Sequence, residues 1–304
     1  MDKTIASFLD YIRYERNYSE LTRTSYQDAL LQFEDFSKRE TGSFSPQSID
    51  LNTVRLWMKA MMEDRHAPSS IKQRVSALRS YVRFLRKRSI LDRNPLELLR
   101  VPKVPKKLPS WVTAEQMDAV IDAADYDDDF EGQRERLIID MLYQTGVRRA
   151  ELLGLRDSDI DLDGRQLKVL GKGNKERLIP FGPELETLIR HYLELRRREV
   201  APGTTERFLV DGDGNPLKSQ KLYNIVRARL GEIPTLAKRS PHVLRHSFAT
   251  AMLTSGADLM AVKELMGHAS LDSTEVYTHI TPQEILSNYK QAHPRATNFK
   301  KKGD

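Results

Sequence analysis

The 304-residue chain contains no cysteine. That excludes a disulfide scaffold, a thiol nucleophile and any Cys-ligated zinc or iron–sulfur site. No apolar run approaches the roughly 20 residues that cross a bilayer. The opening residues, MDKTIASFLDYIRYER, lack the apolar core and small-residue cleavage site of a signal peptide, and they read as an amphipathic helix. Internal repeats and low-complexity tracts are also missing. The composition is globular, with 39% hydrophobic and 30% charged residues. At roughly 150 residues per domain the length suggests two domains. The expected setting is soluble and cytoplasmic, with no membrane partner.

Negative charge is scarce in the first third. Residues 1–107 hold 21 Lys and Arg against 13 Asp and Glu, a surplus of eight, whereas the remainder is at −2, which together give the net charge of +6. A basic part beside a near-neutral part points to a polyanion, nucleic acid first, because phosphate neutralisation dominates such binding; the plain alternative is a solvated basic surface. Residues 1–100 pass no period-two test for strands and read as helices. Ser19 is placed to cap a helix carrying Tyr26, Leu30, Phe33 and Phe36. Asp50 or Asn52 caps a third through Trp57 and Met61, and Ser69 or Ser70 a fourth over Ile71–Ser89. That fourth helix sets an apolar stripe (Ile71, Val75, Leu78, Val82, Leu85) beside Lys72, Arg79, Arg83, Arg86 and Lys87, and no acid occurs between Asp64 and Asp92. A single-sign face gives up stabilising i,i+4 pairs, so it is read as facing phosphate or a groove. The salt dependence of binding is then expected to flatten when Arg79 or Arg83 is replaced.

Val101–Ser110 carries Pro102, Pro105 and Pro109, which forbid a helix, together with Lys103, Lys106 and Lys107. It reads as a basic linker (101–110) between an N-terminal helical domain (1–100) and a second domain (111–304). The second domain opens on the capping box Thr113-Ala-Glu-Gln116. Helices are expected near 114–124 and 134–145, then a short one over Glu151–Leu155. Ile160–Leu162, Gln166–Leu170 and Lys175–Ile179, separated by turns at Asp163-Gly164 and Gly171–Asn174, predict a small three-stranded antiparallel sheet. Helices resume at 183–199, 218–230, 241–255 and 258–266, with a last pair after 271. The fold class is therefore mainly α with a small antiparallel β-sheet.

Four of the seven histidines fall between His242 and His279, around Arg245 and Tyr277. Ser240 and Pro241 suit the start of a helix whose first turn carries His242 and Arg245. Cations there oppose the helix dipole unless an anion binds. Arg148, beside Gly146, either pairs with Glu151 one turn on or grips phosphate oxygens with its planar fork. Gly171-Lys172-Gly-Asn-Lys175-Glu-Arg177 lacks the phosphate-loop pattern and a following helix, so it reads as a hairpin tip presenting Lys172 rather than an ATP site. His242 and His246 have zinc spacing, but Val243 stands where the glutamate of H-E-x-x-H belongs, and no two-metal aspartate cluster is evident. No metal and no cofactor are expected.

In this order T-G-V-R-R-A-E-L, G-K-G-N-K-E-R, H-x-x-R-H, G-H and Tyr277 resemble the tyrosine recombinase (phage integrase) family, from about 111 to 290, and the helical region before them resembles its SAM-like core-binding domain. The compact N-terminus is most similar to the XerC/XerD branch. Arg149 stands where the family more often has an apolar residue. The resemblance implies a clamp around DNA. It assigns Tyr277 as nucleophile, Arg148 and Arg245 to the non-bridging oxygens, and His268 to the same phosphate. His242 would position and deprotonate the tyrosine, Lys172 would protonate the leaving 5′-oxygen, and Glu151 would orient its neighbours. DNA contacts fall to Lys72, Arg79, Arg83, Lys87, Lys103, Lys106 and Lys107. It further implies a double-stranded inverted-repeat site, a homo- or hetero-tetramer with a paralogue on two sites, a tail (Ile285, Leu286, Tyr289) that docks on a neighbouring protomer or packs on its own chain, and an FtsK-like translocase. The role implied is Xer-like dimer resolution at dif-type sites. A mobile-element integrase would share the chemistry and differ in its site. A non-catalytic DNA-binding protein, with a helix-turn-helix from Ala261 to beyond Ser270, has no use for Tyr277 and Lys172. A type IB topoisomerase would relax strands without exchanging them.

Overall fold

A computed structural model describes residues 1–102, 110–123, 125–171, 176–201, 205–267 and 281–296. The chain divides into two compact units, Met1–Lys107 and Leu108–Asp304.

In the first unit short polar side chains satisfy free N–H groups where helices begin. Asp2 accepts from the Thr4 N–H at 2.8 Å to start α1 (Lys3–Asp10). Ser19 accepts from Thr22 to start α2 (Glu20–Thr41), which ends on Gly42 at φ +79°. Asp50 accepts from Asn52 and Thr53 to start α3 (Leu51–Glu63). The fourth helix, α4 (Pro68–Lys87), begins earlier than expected. Pro68 occupies its first position and Ala67 its cap, so Ser69 and Ser70 lie inside the first turn and cap nothing. Proline's fixed φ starts the helix without a capping side chain. The N-terminal amphipathic segment is likewise not one α-helix. After Asp10 it widens into a π-helical turn, Tyr11–Glu15, that keeps Ile12 in the core and the Tyr11 ring 5.0 Å from Phe84. Phe8, Phe33, Trp57, Val75, Leu78 and Leu85 form the buried centre, each side chain stabilising by roughly 1.5–3 kcal/mol.

The second unit opens with the expected capping box, Thr113 with Gln116, and α5 (Ala114–Asp118), followed by a π-turn over Ala119–Ala123. Next comes α6 (Phe130–Thr145), which starts four residues before the expected 134 because Asp129 caps it through the Gly132 N–H at 2.7 Å. Arg134 is fully buried, paired with Glu131 at 2.7 Å and lying 5.1 Å over the Phe130 ring. The helix is buried nearly all round, as a central core helix is. It leads into α7 (Arg149–Gly154) and the strands β1 (Ile160–Asp161), β2 (Gln166–Leu170) and β3 (Glu176–Pro180). The sheet is antiparallel in the order β1-β2-β3, with Leu167 opposite Ile179 and Val169 opposite Arg177. Then follow α8 (Pro183–Glu199), α9 (Ser219–Arg229), α10 (Pro241–Thr254), α11 (Leu259–Met266) and α12 (Pro282–Ala292). The helix expected between 271 and α12 lies outside the described residues.

The tail packs on its own chain. Tyr289 is 1% exposed and stacks on His293 with ring centres 5.1 Å apart. Burial pushes the His293 imidazole down to about 3. Arg295, 6% exposed, pairs with Asp118 at 3.0 Å, Asp122 at 2.9 Å and Glu184 at 2.8 Å. Ile285 packs against the core and Leu286 is exposed. No helix among the described residues is long and apolar enough to cross a membrane.

Candidate active site

Gly146 turns the chain out of α6 at φ +59°, and a Cβ there would clash with the Phe248 ring, so only glycine lets α6 and α10 approach this closely. The turn places Arg148 at the N-cap of α7. Glu151, in the first turn of α7, accepts the Arg148 backbone N–H at 2.7 Å and its guanidinium at 2.6 Å. From β3, Arg177 reaches the same carboxylate with two N–H groups, at 2.7 and 3.1 Å. Arg245, one turn after His242 on α10, donates to the carbonyls of Gly146 and Met266. Arg148 also donates to the Gly267 carbonyl at 2.7 Å, and Arg177 to that of Leu265 at 2.8 Å. Three arginines from three elements thus converge on the last carbonyls of α11, the negative end of its dipole.

Two guanidiniums bond one carboxylate, and a third, that of Arg245, lies near without bonding it. Burial would raise Glu151, but Arg177 and Arg148 outweigh it and hold the group at about 2. Arg245 is 7% exposed, and among the described residues no carboxylate bonds it. Burial, then repulsion by Arg148 and Arg177, pushes its guanidinium down to about 10, still charged at neutral pH. The arrangement is an electropositive recess with spare donors, suited to a phosphodiester anion.

The pKa of Glu151 has a measurable consequence. A carboxylate held below its ordinary 4.5 contributes stability that is present above pH 4.5 and lost as pH falls toward 2. Glu151→Gln is expected to lack this acid-labile component, about 3 kcal/mol. Urea unfolding at a series of pH values from 6 to 2.5 checks it. Parallel pH profiles for the two proteins would refute the assignment.

The structure brings Arg148, Glu151 and Arg245 together and leaves His242 exposed on the first turn of α10, with His246 half-buried one turn on. Ser240 occupies the N-cap position but makes no side-chain capping bond. Lys172, His268 and Tyr277, and the linker residues Lys103, Lys106 and Lys107, lie outside the described residues. Among the described residues no three His, Asp or Glu gather to hold a metal. Arg177 was missed as a site residue. Its signal was its place on the inward side of β3, in phase with the buried Ile179, where a charge implies a buried partner.

On α4, Lys72, Arg83 and Lys87 are exposed, and the Lys87 ammonium lies 5.1 Å from the Tyr11 ring. Arg79 differs: it is half-buried and donates to the Leu99 carbonyl at 2.6 Å. Arg83→Ala is therefore expected to lower the slope of log affinity against log salt by about one unit with its melting temperature unchanged. Arg79→Ala should also lose roughly 1.5–3 kcal/mol of stability, the range for a charged hydrogen bond. Titrations at several salt concentrations, with melting curves, separate the two; an unchanged slope in Arg83→Ala would remove that side chain from the phosphate contacts.

The sequence profile of the phage integrase family matches residues 110–284, and that of the phage integrase N-terminal SAM-like domain matches residues 5–89. The chain is 35% identical over 291 residues to a protein named tyrosine recombinase XerC from Listeria innocua serovar 6a, covering 95% of this chain and 97% of that one. It is 32% identical over 317 residues to a XerC of Chlorobaculum tepidum, covering 96% and 94%. Among solved structures it is similar to the XerH site-specific recombinase in a post-cleavage complex with a palindromic difH substrate, with a TM-score of 0.69 and 25% identity over 88% of this chain and 78% of that one.

Proposed function

Because the chain belongs to the phage integrase family of tyrosine recombinases, we propose the following division of labour for its site-specific, Xer-like DNA breakage and rejoining. The Tyr277 hydroxyl attacks the scissile phosphorus. Its proton passes toward His242, the phosphorus–O5′ bond breaks, and Lys172 protonates the departing 5′-oxygen. The products are a 3′-phosphotyrosine and a free 5′-hydroxyl. A second 5′-hydroxyl reverses the step on a new strand, with the ester energy retained.

Each role answers a physical need. Tyrosine ionises near pH 10, so the nucleophile needs a base or a cationic pocket. A 5′-alkoxide leaves poorly unless protonated. Charge growing on the pentavalent phosphate needs fixed donors, here Arg148, Arg245 and His268. Glu151 aligns Arg148. The observation that carries this reading is the convergence of Arg148 and Arg245 on the end of α11, directly before His268 in the chain, with Arg245 lacking a carboxylate partner among the described residues.

The duplex is bound by the basic face of α4 in the first unit and by the arginine recess of the second, and Lys103, Lys106 and Lys107 add phosphate contacts. Four protomers, of one kind or with a paralogue, hold two inverted-repeat sites of dif type in the cytoplasm, and an FtsK-like translocase activates them for resolution of chromosome or plasmid dimers. Protomers connect through exposed Leu286 of α12, which borders a groove of about 630 Å³ whose walls include Leu178, Leu265 and Ile285.

The test is a nicked suicide duplex bearing a dif-like inverted repeat, incubated in EDTA with and without a paralogue. A denaturant-resistant adduct that yields phosphotyrosine in the peptide containing Tyr277 is expected. A duplex that stays bound under every condition without an adduct overturns the reading.

A further inference from the structure

The Arg177 side chain is 7% exposed: a guanidinium largely taken out of water, which is costly unless its donors are well met. They are well met. Two N–H groups clasp the two oxygens of Glu151, and Nε–H holds the Leu265 carbonyl. The neighbouring carbonyls of Met266 and Gly267 go to Arg245 and Arg148. Three consecutive carbonyls of α11 are therefore taken by three arginines, and Arg177 is the one that also fixes the carboxylate aligning Arg148. The fit is tight: a Cβ on Gly267, at φ +60°, would come within 2.9 Å of the Arg177 guanidinium.

We propose that Arg177 is a positioning residue for strand cleavage. By clasping Glu151 and the end of α11 at once, it sets the orientation in which Arg148 and Arg245 meet the charge that develops on the phosphate. The inference rests on the recombinase reading. Lysine cannot replace it, because a single ammonium lacks the planar fork that reaches both oxygens and the carbonyl. A loosened clasp leaves the arginines charged but misaligned, and an error of about 1 Å in such a site costs on the order of 10²-fold in rate.

The experiment compares single-turnover cleavage of two suicide duplexes, one with the ordinary phosphodiester and one with a methylphosphonate at the scissile position. The methylphosphonate replaces a charged oxygen with a neutral methyl group, so it demands less of the arginines. Arg177→Lys and Arg177→Gln are made together, and melting curves identify the better-folded one for the comparison. On the phosphodiester the variant is expected to fall on the order of 10²-fold below wild type, whereas on the methylphosphonate it should come within about threefold. Equal slowing on both substrates would mean a general structural role or one in leaving-group protonation, and would overturn the proposal, as would wild-type rates on both. Wild type cleaving neither duplex would fail the recombinase reading instead.

Discussion

Tyr277→Phe is expected to bind the inverted-repeat duplex with wild-type affinity and to form no covalent adduct. The substitution deletes only the attacking oxygen, so adduct should fall below detection rather than by a measured factor. The buried tyrosines of the same unit make poor substitutes. Tyr143, Tyr192 and Tyr289 are at most 1% exposed, and burial raises the pKa of each, which opposes formation of the phenolate. Tyr289→Phe is the matched control: it should lose no more than its 3.5 Å contact with Gln144 and keep its adduct yield. Gel shift and denaturing electrophoresis of the same reactions read binding and chemistry side by side. An adduct that persists in Tyr277→Phe would reassign the nucleophile.

Arg245→Met is expected to slow cleavage about 10³-fold, the upper range for losing one fixed donor to a developing anion. DNA affinity should move less than about threefold, because most phosphate contacts lie elsewhere. The stability outcome separates this residue from an ordinary buried ion pair. Removing one partner of such a pair costs about 3–5 kcal/mol. Arg245 has carbonyl partners and, among the described residues, two cationic neighbours but no bonded acid. Methionine in its place gives up two carbonyl hydrogen bonds but relieves the repulsion from Arg148 and Arg177, so the melting temperature should fall by less than the loss of one partner of a buried ion pair would cause. Sulfate or vanadate, by binding the recess, should raise the melting temperature of wild type and not of the variant. Normal cleavage by Arg245→Met would remove this side chain from the phosphate site.

Much of the fold was legible because local chemistry and tertiary structure agree. Asp2, Ser19, Asp50 and Thr113 sit at helix starts as caps, and alternation around Leu167, Val169 and Ile179 built the sheet in the expected order. The misses have local causes. Proline rather than serine starts α4. Asp129 caps α6 and starts it at Phe130, four residues before the expected 134. The π-turns after Asp10 and Asp118 have no periodicity distinct from a helix.

For the site, the chain order of the motifs carried the family, and with it the roles proposed for Arg148, Lys172, His242, Arg245, His268 and Tyr277. That information is one-dimensional: it names residue types that a phosphodiester reaction requires, and their order along the chain. Only the tertiary structure decided which partners each one keeps. It assigned Arg79 to the Leu99 carbonyl and left Arg83 exposed. It buried Tyr289 in its own chain, and it made Arg177 the link between Glu151 and α11. Burial and hydrogen-bond geometry depend on residues far apart in sequence, and a charged side chain reads the same in the chain whether it faces solvent, a carbonyl or a carboxylate.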